Sequence, residues 1–194
     1  MARGIVKKFT IELDESDAAH FRERFRAAKK EAESSDPGRI VAAVHEMIGR
    51  VQAQKRIPSF LEEATSTLRS LVDMVSDKDW AMAKGEAASI LAGLAYFLNP
   101  SDLIPDDVPG MGFLDDAIFV WLLGEEFHEE IRAYRAFRRF KETGEQRDWT
   151  EIARARWPKR LAEERKRLRE ELQKRREAAR RGGLLRKVTS RLRW

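Results

Sequence analysis

The stretch that most constrains the fold lies between Ala95 and Ile118, where a run rich in proline, glycine and aspartate separates two apolar segments. Ile90, Leu91, Leu94, Phe97 and Leu98 lead into it, and Phe113, Leu114, Ile118, Val120 and Trp121 lead out. Three of the chain's six prolines, Pro100, Pro105 and Pro109, fall in this run. Each lacks an amide donor and pushes the preceding residue out of the helical region. Gly110 and Gly112 admit backbone angles that other residues avoid. Such a segment ends one helix, starts another and joins them by a fixed connection. Leu103, Ile104, Val108 and Phe113 are too apolar for water, so the loop is expected to fold back over the helix pair as a lid.

The aspartates of this run have two readings. One is local: Ser101 or Asp102 starts a short turn, and Asp115 stands where a helix N-cap belongs, its charge favourable to the helix dipole. The other is a divalent-cation site built on Asp102, Asp106 and Asp116, with Asp107 and Asp115 nearby, since Ca²⁺ or Mg²⁺ takes several oxygens. The spacing is not that of an EF-hand loop. Asp116 also begins a stripe through Val120, Leu123, Phe127, Ile131 and Tyr134, spaced by three and four residues. A carboxylate on that face points into the core and needs a partner.

Tyr96-Phe97-Leu98-x-Pro100-x-Asp102-Leu103-Ile104-Pro105-Asp106, followed by Pro109-x-x-Gly112-x-Leu114-Asp115-Asp116, resembles the signature of the YkvA-like family. That family is a bacterial domain of unknown function with relatives in some membrane-bound eukaryotic proteins. The resemblance covers roughly Ala87 to Gly124. It implies a small helical hairpin, membrane-associated in some members, and no established activity.

Elsewhere the periodicity is helical. A first helix runs from Asp14–Asp17 to about Ser34, and Ser34 to Gly38 is a break. Ile40, Val41, Val44, Ile48 and Val51 mark the second helix. Ser59-Phe-Leu-Glu62 has the form of a capping box opening the third. Asp77 or Asp79 starts a fourth through Trp80, where Ala87, Ala88, Ala92, Gly93 and Ala95 permit close approach. A fifth spans Asp116 to about Glu142 and ends at Thr143-Gly144. Only Lys8 to Leu13 alternates as a strand does. A lone strand needs a partner for its backbone groups, which suggests pairing across a homodimer. The order strand, helix, helix also loosely resembles ribbon–helix–helix DNA readers. The fold class is therefore all-α, a multi-helix bundle with one short N-terminal strand and a protruding basic C-terminal helix. Its expected parts are 1–56, a helical core at 57–145 and a basic tail at 146–194.

Charge separates body from tail. Residues 147–194 hold 18 Lys and Arg against 7 Asp and Glu, a net of +11; the remaining 20 against 26 give −6 for residues 1–146. From Trp149 the tail reads as a helix interrupted near Trp157-Pro158. Beyond it the pairs Glu163–Arg167, Glu170–Lys174, Glu171–Arg175 and Glu177–Arg181 stand four residues apart. With only Leu161, Leu168 and Leu172 as large apolar residues, this helix is expected to stay solvated. After Gly182-Gly183, Arg186, Lys187, Arg191, Arg193 and Trp194 form a basic amphipathic end. It suits an anionic membrane surface, nucleic-acid phosphates or packing against the body.

Other classes receive little support. Ala87 to Leu98 and Phe113 to Leu123 are shorter than the roughly 20 apolar residues of a membrane span, though a re-entrant pair stays open. Met1 to Lys8 lacks the apolar run of a signal peptide, which reads as cytoplasmic. There is no cysteine, hence no disulfide. Glu125-x-x-His128 is a single copy of a pair that di-iron bundles use twice. No phosphate loop or nucleophile elbow occurs, so neither catalytic residues nor a small-molecule substrate are indicated, and no cofactor beyond a divalent cation. The leading expectation is a non-enzymatic adaptor or scaffold, associating with a membrane surface or other anionic partner through its basic C-terminal tail. The alternatives are a metal-dependent enzyme on the loop aspartates and a nucleic-acid-binding protein.

Overall fold

In the computed structural model the described residues are 15–98, 113–147 and 149–181. They form seven α-helices and one 3₁₀ turn, and among them there is no strand. The strand expected at Lys8 to Leu13, and with it the dimer contact, lies outside the described residues, as do most of the proline-rich lid and the chain beyond Arg181.

Helix α1 (Glu15–Ser34) buries Phe21 and Ala28 and half-buries Phe25 and Ala32, a stripe spaced four, three, four. Asp36 then caps α2 (Pro37–Gln52): its Oδ1 accepts from the amides of Gly38 (2.8 Å) and Arg39 (3.2 Å), with Pro37 preset at the first helical position. Such a cap contributes about 1 kcal/mol. Ile40, Val44, Met47, Ile48 and Val51 face inward.

Helix α3 (Ser59–Ser76) starts one residue earlier than a Ser59 cap requires. The carbonyl of Pro58, already extended, accepts from Leu61 and Glu62, so Ser59 is the first helical residue and its hydroxyl caps nothing. The fourth helix also departs from expectation. Asp77 Oδ1 takes the amides of Asp79 (2.8 Å) and Trp80 (3.3 Å), and Ala81 has φ 46°. That turn cannot propagate as a helix, so α4 is only Lys84–Leu94. Trp80, placed by the turn rather than by a helix, is buried against Tyr134 and Phe137.

The 3₁₀ turn Ala95–Leu98 follows α4 directly and buries Tyr96 and Phe97. Helix α5 (Leu114–Glu126) and helix α6 (His128–Glu145) replace the single long rod expected, divided at Phe127, whose φ −105° and ψ 21° leave the helical region. Periodicity does not report the bend because hydrogen bonds from Phe127 to Leu123 and from Ile131 to Phe127 carry the ladder across it. Val120, Leu123, Phe127, Ile131 and Tyr134 stay on one buried face.

Helix α7 (Glu151–Arg181) is continuous through Pro158 and lies along α6 instead of protruding. Trp157, one residue before that proline, stacks on Phe140 at 5.4 Å and covers Gly144, which anchors the turn that Pro158 weakens. Buried side chains from α1 through α7 belong to one hydrophobic cluster, with α1 on α4, α3 on α5 and α6, and α7 on α6. No helix among the described residues is long and apolar enough to cross a membrane.

Candidate functional site

Two polar assemblies are built into this core. The first opens α5. Phe113 sits in the left-handed region (φ 64°), its carbonyl accepts from Ala117 (2.9 Å), and it provides no side-chain cap. Asp115 is thus not the N-cap; it and Asp116 fall in the first turn, where the dipole favours negative charge. Both are buried, 4% and 1% exposed. Asp116 faces the core, as its stripe requires.

Tyr96 stacks on Phe119 of α5 at 3.9 Å, and the Arg24 guanidinium of α1 lies 5.3 Å from the Tyr96 ring centre. Burial pushes the Tyr96 phenol above its ordinary value, and the charges of Asp116 and Asp115 push it further, while Arg24 opposes both. Tyr96, Asp115 and Asp116 are buried, and the half-buried Arg24 lies beside the phenol ring. Nearby, Arg50 of α2 lies over the Phe113 ring at 5.5 Å. The group ties α1 and the 3₁₀ turn to the start of α5 as a polar clasp. The family signature already held Tyr96 and the two aspartates together, but nothing in the sequence linked Arg24 to them, because α1 and α5 are far apart in the chain.

Of the residues predicted to hold a cation, only Asp116 is described; Asp102 and Asp106 lie outside the described residues. Among the described residues no group of three or more His, Cys, Asp or Glu could hold a metal ion. The predicted loop residues Pro100, Pro105, Pro109 and Gly112 also fall outside. So do Arg186, Lys187, Arg191, Arg193 and Trp194 of the tail. His128 is exposed, 3.7 Å from Glu129, whose carboxylate also pairs with Arg132.

The second assembly joins α7 to the body through arginines. Trp157, Leu161, Arg165, Leu168, Leu172 and Arg176 form its inner stripe, spaced by three and four residues. Arg165 Nη1 donates to the Asp79 carbonyl (2.7 Å). Arg176 bridges Glu86 of α4 (3.0 Å) and Glu130 of α6. Arg169 lies over the Trp80 ring at 5.1 Å with Glu86 3.6 Å away, and burial lowers its pKa from the usual guanidinium value. Along the outer side, Arg175 pairs with Glu171 (2.8 Å) and Arg167 with Glu164 (2.5 Å), a shorter spacing than the Glu163–Arg167 pair expected. The Arg167 partnership holds the Glu164 carboxyl below its ordinary range.

Residues 86–122 match a family model described as a protein of unknown function (DUF1232). The match begins in α4 and ends in α5, so it contains the 3₁₀ turn, Tyr96 and both buried aspartates. It spans about a fifth of the chain. No curated protein and no solved structure matches the sequence.

Proposed function

We propose that the protein is a non-enzymatic helical adaptor that presents a basic surface to an anionic membrane. The observation that carries this reading is the arginine attachment of α7. With Arg165, Arg169 and Arg176 turned inward and engaged, the helix is fixed to the body. Its exposed residues then include eight basic side chains, among them Arg154, Lys159, Lys166 and Lys174, against four acidic ones. The basic residues Arg186, Lys187, Arg191 and Arg193 follow this helix in the chain. A protein meeting a surface needs a rigid body and a cationic face aimed away from it, and α7 supplies both. The YkvA-like resemblance of the hairpin agrees with this reading, since some relatives occur in membrane-bound proteins.

Each basic residue near an anionic bilayer contributes about 1 kcal/mol. Neutralising Arg186, Lys187, Arg191 and Arg193 together to glutamine in the full chain should therefore lower sedimentation with phosphatidylserine vesicles by about two orders of magnitude or more. Truncation after Gly144 is a poor substitute, because it strips α7 from Trp80 and Phe140. Equal pelleting of wild type and variant removes the tail as anchor. Salt-dependent retention of nucleic acid without vesicle binding would transfer the role to phosphate backbones.

A further inference from the structure

A cleft of about 580 Å³ opens between α3 and α6, lined by Arg69, Arg135, Arg138 and Arg139 with Glu62 and Glu142. Its four guanidiniums are not equivalent. Arg138 is neutralised: Nη1 donates to Asp73 Oδ2 (2.9 Å), and Nε and Nη2 donate to Glu142 Oε1 (3.1 and 2.9 Å). Arg135 faces hydroxyls instead. Its Nε donates to Ser70 Oγ (3.0 Å) and its Nη2 to the Ser66 carbonyl and hydroxyl (3.4 and 3.3 Å), which fixes the guanidinium plane and leaves its charge uncompensated.

Arg69 and Arg139 make no hydrogen bond or ion pair among the described residues. Arg135 and Arg139 are four apart on α6, where like charges oppose the helix. Three guanidiniums from two helices thus share one concavity with a single unpaired acid, Glu62, on its wall.

We propose that this cleft binds a small phosphate-bearing anion, with a diphosphate or longer polyphosphate spanning the arginines of α3 and α6. The planar guanidinium forks of Arg69 and Arg139 match phosphate oxygens in pairs. Arg135 offers the Nη1 donors that Ser66 and Ser70 leave unengaged, and the volume is that of a small-ligand site. The oriented Arg135 reduces what must be ordered on binding. The site is separate from the tail and does not depend on the membrane reading.

Calorimetric titration of the full chain with inorganic pyrophosphate at constant ionic strength tests it. Wild type should bind saturably, and its melting temperature should rise with ligand. Arg69→Gln/Arg139→Gln removes two side chains that hold nothing within the fold. This variant should melt no lower than wild type without ligand, yet bind pyrophosphate at least about tenfold more weakly. The four-site tail variant should bind it as wild type does. An absence of saturable binding at millimolar pyrophosphate overturns the proposal, as does equal affinity in Arg69→Gln/Arg139→Gln. Competition by phosphoinositide vesicles would identify a lipid headgroup as the source of the phosphate. Competition by free inositol phosphate alone would identify a soluble one; both results support the cleft.

Discussion

Two glycines inside helices stand in opposite surroundings. A Cβ built on Gly144 would lie 1.9 Å from the Trp157 ring, whereas one on Gly49 meets nothing within 4 Å. Gly49→Ala should stabilise the protein by about 0.5–1 kcal/mol, the helical preference of alanine over glycine. Gly144→Ala must displace a rigid ring that is also stacked on Phe140, and should cost about 1–3 kcal/mol despite that preference. Urea unfolding of both variants checks the pair, and equal shifts would show that Trp157 does not bear on Gly144. The sequence marked Gly144 only as a helix end. What it could not show is that α7 returns to lay an indole over it. The inward direction of Asp116, in contrast, was legible, since a carboxylate in register with five apolar residues has one face to occupy.

The break between α1 and α2 was legible to within two residues, since Pro37 and Gly38 of the expected break open α2 behind the Asp36 cap. The Ser59 and Asp115 caps read from local chemistry were each misplaced. Other boundaries were hidden where a side chain overrides periodicity. Asp77 diverts two amides and delays α4, and Phe127 bends a rod whose apolar stripe runs on unbroken. The docking of α7 was missed for a related reason. Counting leucines undervalues a helix that attaches through arginines, whose stems cover apolar surface while their heads find carboxylates and a tryptophan face. Arg176→Ala removes the bridge to both Glu86 and Glu130. Because Arg176 and Glu86 are about a third exposed, the loss should be about 1–2 kcal/mol rather than that of a fully buried pair. Hydrogen exchange should quicken in α7 while α2 and α3 keep their protection. Uniform loss across all three would mean that α7 does not open as a separate element.

The molecule's only two tyrosines report on the whole core from different places. Tyr96 lies in the clasp with Asp115 and Asp116; Tyr134 packs on Trp80 and its hydroxyl donates to Asp77 Oδ2 (3.3 Å). Burial raises the Tyr134 phenol above its ordinary value, and the charges of Asp77 and Asp73 add to the effect, as the aspartates do at Tyr96. In the unfolded chain both phenols ionise near pH 10. The folded state therefore keeps two protons that the unfolded state releases above that point. Below about pH 10 the shifts change nothing; above it stability falls by up to about 1.4 kcal/mol per pH unit for each tyrosine, until the folded pKa values are reached. At about pH 11, a unit past the unfolded value, the native protein should show little tyrosinate absorbance, and urea should elicit it in full. Since both rings belong to one hydrophobic cluster, tyrosinate should appear in a single step together with the loss of helical circular dichroism. Tyr96→Phe and Tyr134→Phe should each halve the amplitude without splitting the transition. A native titration of either phenol near pH 10, ahead of unfolding, would mean that its carboxylate neighbours and its burial are not as described.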